Sequence, residues 1–146
     1  MSDQHSLPPA EGQLCGRVLL ADDSSTLRRL IANLLRRAVQ HVQTVDNGHD
    51  AVLMALDAQE QGSPYDLVLM DVMMPKLNGC DATRELRARG YTGKIIILTA
   101  ADDEFDLASS LGAGADGFLP KPFAPRQLAQ MIREVFAQPP LRPESP

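Results

Sequence analysis

Two short segments, DLVLM at 66–70 and KIIIL at 94–98, are apolar at nearly every position instead of every second one. A strand with one face in water alternates; a strand apolar on both faces is covered on both, as in a parallel sheet between two layers of helix. Three further β-rich runs, RVLLA (17–21), VQTV (42–45) and GFLP (117–120), complete the set, and each run is followed by a segment with helical spacing. The chain therefore reads as an α/β protein of five strands alternating with five helices. Right-handed crossovers build such units into an open, doubly wound sheet whose ligands bind at the carboxyl ends of the strands, near a switch in strand order.

The first helix takes its N-cap from Ser24 or Ser25 and lines up Leu27, Leu30, Ile31, Leu34, Leu35 and Ala38 as a core stripe, with Arg28, Arg29, Arg36 and Arg37 on a solvated face. The last helix opens with Pro125 in its first turn and spaces Leu128, Met131, Ile132, Val135 and Phe136 for burial. Residues 1–14 are polar and carry a Pro-Pro pair, and the tail QPPLRPESP is too proline-rich for regular structure. One domain over 15–137 is expected, with a flexible linker at 1–14 and a proline-rich tail at 138–146.

A formal net charge of −5 sets the average field of the surface against nucleic-acid phosphates, so direct nucleic-acid binding is not expected. No apolar run is long enough to span a bilayer, and Cys15 and Cys80 have neither metal-ligand nor redox-motif spacing. A cytoplasmic protein without membrane contact and with two free thiols is the expectation. His5, His41 and His49 fall outside every motif, so a phosphohistidine would have to come from another molecule.

The residues that end the strands carry the chemistry. Asp22 and Asp23 follow the first strand, Asp71 ends the third, Thr99 the fourth and Lys121 the fifth. Carboxylates gathered at one edge repel one another unless a cation intervenes, and an oxygen-only donor set suits Mg²⁺. Asp22 and Asp23 then hold the metal, Asp71 is a carboxylate nucleophile for a phosphoryl group, Thr99 offers a hydroxyl to a phosphoryl oxygen, and Lys121 screens the charge. Each residue alone has a duller use, as turn former, cap or surface lysine. The ordered set ADD, LVLMDVMMPKLNG, IIILTA and LPKPF does not.

With these motifs, covering residues 15–137, the chain resembles the receiver domains of two-component signalling. The resemblance implies a flavodoxin-like sheet in the order 2-1-3-4-5 and Asp71 as phosphoacceptor. It implies a Mg²⁺ site of Asp22, Asp23, Asp71 and the Met73 backbone carbonyl, with Thr99 as switch hydroxyl and Phe118 as switch aromatic. It also implies a cis bond between Lys121 and Pro122 that turns the lysine toward the pocket. Pro75 and Gly79 match the loop after the phosphoacceptor strand, where Gly79 permits a tight course into the third helix.

The implied function is that of a receiver catalysing its own phosphorylation and dephosphorylation. The donor is a histidine kinase or histidine phosphotransfer protein, and the output is contact with a downstream protein through the fourth helix, fifth strand and fifth helix. Only the tail follows the last helix, so no output domain is expected in this chain; a stand-alone regulator and the receiver module of a hybrid histidine kinase both remain open, with the run from Cys80 to Ala100 nearer the latter. A Mg²⁺-dependent aspartyl phosphatase would want an acid two residues beyond Asp71, where Met73 stands, and the intact acidic set opposes a passive pseudo-receiver scaffold. In receivers, Met73 and Ala101 occupy the two positions that flank a hydrolytic water, and neither side chain can orient one.

Overall fold

The computed structural model describes residues 14–74, 76–100 and 112–137. Five parallel strands, β1 (Cys15–Ala21), β2 (Val39–Val45), β3 (Leu67–Asp71), β4 (Lys94–Ala100) and β5 (Gly117–Lys121), form one sheet in the order β2-β1-β3-β4-β5. Helices α1 (Ser25–Leu35), α2 (Gly48–Glu60), α3 (Gly79–Ala88) and a C-terminal helix (Pro125–Ala137) flank it. The fourth of the five expected helices falls on the stretch that contains 101–111, outside the described residues.

The unbroken apolar character of the central strands follows from two cores, one on each face. Leu19, Val68, Met70, Ile95 and Ile97 pack against α2 and α3, whereas Val18, Leu20, Leu69, Ile96 and Leu98 pack against α1 and the C-terminal helix. Alternate side chains of one strand thus enter different cores, and every residue of β3 is buried.

Helix starts are set by side-chain caps. Ser24 accepts from the Leu27 amide, Asn47 from Asp50 and Asn78 from Asp81, each satisfying an amide that the helix leaves without a partner. Gly62 and Gly90 follow α2 and α3 with φ of +86° and +95°, the left-handed turn that closes a helix.

Three expectations need correction. β2 begins at Val39, earlier than VQTV, because Gln40 and His41 lie exposed on an edge strand and leave no apolar signal. In α1, Ile31, Ala32 and Leu35 are the buried residues, Leu30 is 55% exposed, and Ala38 lies beyond the helix end. In the C-terminal helix Leu128, Ile132 and Val135 are buried, while Phe136 is 40% exposed. In both helices the apolar stripe is wider than the arc that meets the sheet.

At the amino edge of the sheet, Arg87 of α3 makes a clamp. Its guanidinium donates to the carbonyls of Gly114, Tyr91 and Gly93 at 2.8–2.9 Å and pairs with the buried Asp116 at 2.8 Å. Asp116 also accepts from the Ile95 amide, and the Tyr91 hydroxyl donates to the Tyr65 carbonyl. α3 and the starts of β3, β4 and β5 are thereby joined by polar contacts.

Candidate functional site

At the opposite, carboxyl edge, β1 delivers Asp22 and Asp23 and β3 delivers Asp71, because β1 and β3 are neighbours that end in register, Ala21 opposite Met70. Each of the three aspartates offers a carboxylate oxygen, and these atoms lie within 4.8 Å of one another. Asp22 is fully buried, Asp71 nearly so, and Asp23 exposed.

Asp22 is held from several sides. Its amide donates to the Val45 carbonyl, its Oδ1 accepts from the Ser24 amide at 2.8 Å, and its own carbonyl accepts from Arg28 Nη1 at 2.8 Å. Its Oδ2 is buried with no hydrogen-bond partner, and its nearest cation is Lys121 Nζ at 3.9 Å. An unsatisfied carboxylate oxygen in the interior is costly, and it faces the other two carboxylates. This is the environment that a hard, oxygen-seeking cation fits.

Lys121 reaches the cluster from β5 and donates to Asp71 Oδ1 at 3.1 Å. The bond from Lys121 to Pro122 is cis. Burial pushes the Asp71 carboxyl above its ordinary range and the charges of Asp22 and Asp23 push the same way, while the hydrogen bond and charge of Lys121 pull it back. Lys121 thus works to keep ionised a carboxylate that its surroundings would protonate.

β4 places the buried Thr99 one residue beyond Leu98, the register partner of Asp71, and opposite Pro120 of β5. Phe118 pairs with Ile97 and packs half-buried against the core on the α2 and α3 face. The Met73 side chain, 73% exposed, projects outward from the loop after Asp71. Pro75 and Ala101 lie outside the described residues.

Two contacts shape the loop after β3. A methyl group on Gly79 would sit 2.3 Å from the Asp71 carbonyl oxygen, so the glycine permits a close approach of α3 to β3, and the Gly79 amide donates to the Val72 carbonyl. The Thr83 hydroxyl, buried, donates to the Gly79 carbonyl. A Cβ on Gly48 would likewise lie 2.0 Å from the Leu77 carbonyl oxygen, so the start of α2 abuts the same loop. Sequence reasoning missed this second contact, since the Asn-Gly pair at 47–48 signals only a turn or cap. It also missed Arg28, assigned to a solvated face, although the bond to the Asp22 carbonyl ties that half-buried side chain to the rim of the site.

Fold and site together define a flavodoxin-like doubly wound domain with an acidic, lysine-capped pocket at its strand-order switch. A family model described as the response regulator receiver domain matches residues 18–133. The transcriptional regulatory protein CpxR of Klebsiella pneumoniae is 40% identical over 120 residues, 82% of this chain and 49% of the relative. ResD of Bacillus subtilis is 33% identical over the same length, 48% of that protein. The chain spans about half the length of these curated relatives.

Among solved structures, the receiver domain of sensor histidine kinase PA1611 from Pseudomonas aeruginosa, with magnesium coordinated in the active site cleft, is similar with a TM-score of 0.72 and 32% identity. The match covers 84% of this chain and 98% of that one. The receiver domain of histidine kinase CKI1 from Arabidopsis thaliana, complexed with Mg²⁺ and BeF3⁻, gives 0.71 and 32%, covering 84% and 90%. The chain belongs to the response regulator receiver domain family, the phosphoacceptor domains of two-component systems. Members of that family interact with histidine kinases or phosphotransfer proteins, and no helix among the described residues is long and apolar enough to cross a membrane.

Proposed function

We propose that Asp71 is the phosphoacceptor and that it takes its phosphoryl group from a phosphohistidine on a histidine kinase or histidine phosphotransfer protein. A carboxylate oxygen of Asp71 attacks phosphorus, an O–P bond forms as the N–P bond breaks, and the imidazole leaves with the electron pair. The observation that carries the assignment is the Lys121 hydrogen bond: of the three carboxylates, Asp71 is the one bonded to a cation while facing the other two. Lys121 opposes protonation of the nucleophile and meets the charge that arrives with the phosphoryl group.

Asp22, Asp23, Asp71 and the Met73 carbonyl would hold Mg²⁺, with the buried Asp22 Oδ2, which has no hydrogen-bond partner, supporting the fit. Bound there, the ion would neutralise charge on the phosphoryl oxygens. Thr99, buried at the same edge, supplies a hydroxyl to the phosphoryl group, and its inward movement lets the half-buried Phe118 take up the space. The changed packing is presented to a downstream protein through the face of the fourth helix, β5 and the C-terminal helix.

The donor approaches along a groove lined by Leu27, Leu30, Leu34, Pro122 and Phe123 together with Lys121, since a protein seated there brings its phosphohistidine to the lysine of the pocket. The receiver unit spans 15–137, with 1–14 as an N-terminal linker and 138–146 as a proline-rich tail, and its place of action is the cytoplasm. Phosphoryl addition from acetyl phosphate with Mg²⁺, followed by intact mass, tests the assignment. One phosphoryl group on the wild type and none on Asp71→Asn are expected, and equal labelling of both would refute it. Calorimetry should show Mg²⁺ binding that Asp23→Ala weakens.

A further inference from the structure

The two edges of the sheet are unequally protected. β5 is short, GFLPK, and carries Pro120, which removes a backbone donor, and Lys121. β2 is seven residues long, VQHVQTV, has no proline, glycine, lysine or acid, and pairs only with β1 among the described residues. An edge of that length and composition leaves a row of outward amide and carbonyl groups available to another strand.

Beside this edge lies a groove between α1 and β2, lined by Arg28, Arg29, Arg36, Ser25 and Thr44. Among the described residues none of these three arginines is in an ion pair, although the chain as a whole carries a net charge of −5. Arg28 and Arg36 are eight positions apart on the helix, a span of about 12 Å at the helical rise. That is too long for one small anion and suits a row of carboxylates on an extended chain, whose alternate side chains repeat every ~7 Å.

We infer that the β2 edge accepts an acidic, extended segment of a partner protein as an added strand, with its carboxylates on Arg28, Arg29 and Arg36. Backbone pairing supplies the affinity and the arginine row sets which strand is accepted. A second copy of the chain fits less well, because pairing β2 with β2 brings two arginine rows together. A nucleic-acid strand would meet the same arginines but make no ladder, and would meet the acidic surface elsewhere.

The test uses the full chain and a synthetic peptide alternating Glu with Thr, its Lys-for-Glu counterpart, and a version N-methylated at alternate amides. Amide shifts confined to β2 and α1 are expected with the acidic peptide, and loss of binding with the other two. An Arg29→Glu and Arg36→Glu double variant, both positions exposed and its fold checked by circular dichroism, should weaken binding about tenfold, equivalent to ~1.4 kcal/mol. Shifts elsewhere, undiminished binding of the N-methylated peptide, tighter binding of an oligothymidylate at the same arginines, or dimerisation through β2 would each overturn the inference.

Discussion

Gly79→Ala should both destabilise the domain and slow phosphorylation, for one steric reason. The new methyl carbon would lie 2.3 Å from the Asp71 carbonyl oxygen, 2.9 Å from its carbonyl carbon and 3.1 Å from the Val72 Cα. All three are backbone atoms, so no side chain can swing away, and α3 must retreat from β3 by about 1 Å to restore ordinary contact. Overpacking of this kind costs about 1–3 kcal/mol, and the upper half of that range applies because the Thr83 hydroxyl bond to the Gly79 carbonyl and the Gly79 amide bond to the Val72 carbonyl both resist the shift. The strain not relieved by that retreat falls on the Asp71 backbone, which carries the carboxylate 3.1 Å from Lys121, and misplacement of a reacting group by ~1 Å can lower a rate by about 100-fold. Gly112→Ala is the control. At Gly112 no described atom lies within 4 Å of the added carbon, and alanine there should be neutral or stabilising by up to about 1 kcal/mol. Urea denaturation gives the stabilities, and intact mass after timed exposure to acetyl phosphate and Mg²⁺ gives the rates. A Gly79→Ala protein within 0.5 kcal/mol of the wild type, the usual spread of a neutral surface change, and labelled at the same rate would refute the reasoning.

Other perturbations separate the remaining parts of the site. Because burial and its acidic neighbours raise the Asp71 pKa above 3.8, the folded state holds its proton to higher pH than the unfolded chain. Stability from this group is therefore lost as pH rises from the unfolded value through the folded one, and Asp71→Asn without Mg²⁺ should melt higher than the wild type at neutral pH, with the advantage fading below 3.8; a gain that instead grows on acidification would reverse the sign. Met73→Asn should speed loss of phosphate from Asp71, since the exposed Met73 side chain can orient no water and an amide can; slower decay in the variant would contradict this, and a tenfold change corresponds to about 1.4 kcal/mol. Arg87→Ala should cost about 3–5 kcal/mol in urea denaturation by breaking its 2.8 Å pair with the buried Asp116, whereas a loss under 1 kcal/mol would show that the clamp is incidental.

The parallel sheet and the pocket at its carboxyl ends were legible because β3 and β4 enter cores on both faces, the pattern of strands covered on both sides, whereas the order of the strands was implied only by the resemblance to receiver domains. The acids are legible for a related reason, as polar residues that end apolar runs have nowhere to lie but the edge. β2 was read short because an edge strand bearing Gln40 and His41 carries a weaker signal. Leu30 and Phe136 were counted as core because periodicity gives the face of a helix but not the width of its contact. The approach of Gly48 to Leu77, the Arg28 bond to the Asp22 carbonyl and the Arg87 clamp join residues distant in sequence or through the backbone, and no local spacing encodes them.

The Arg87 clamp gives the domain a stiff pole and a soft one. At the amino edge a single guanidinium from α3 fastens three carbonyls and a carboxylate drawn from the turn after that helix and the approach to β5. At the carboxyl edge Asp22 and Asp71 share one lysine beside the exposed Asp23, and one buried oxygen has no hydrogen bond. A charge added at the carboxyl edge would therefore act where fewer side-chain bonds oppose a local shift. Amide exchange should record the difference as slow opening around Ile95 and Asp116 beside faster opening around Asp23 and Val72.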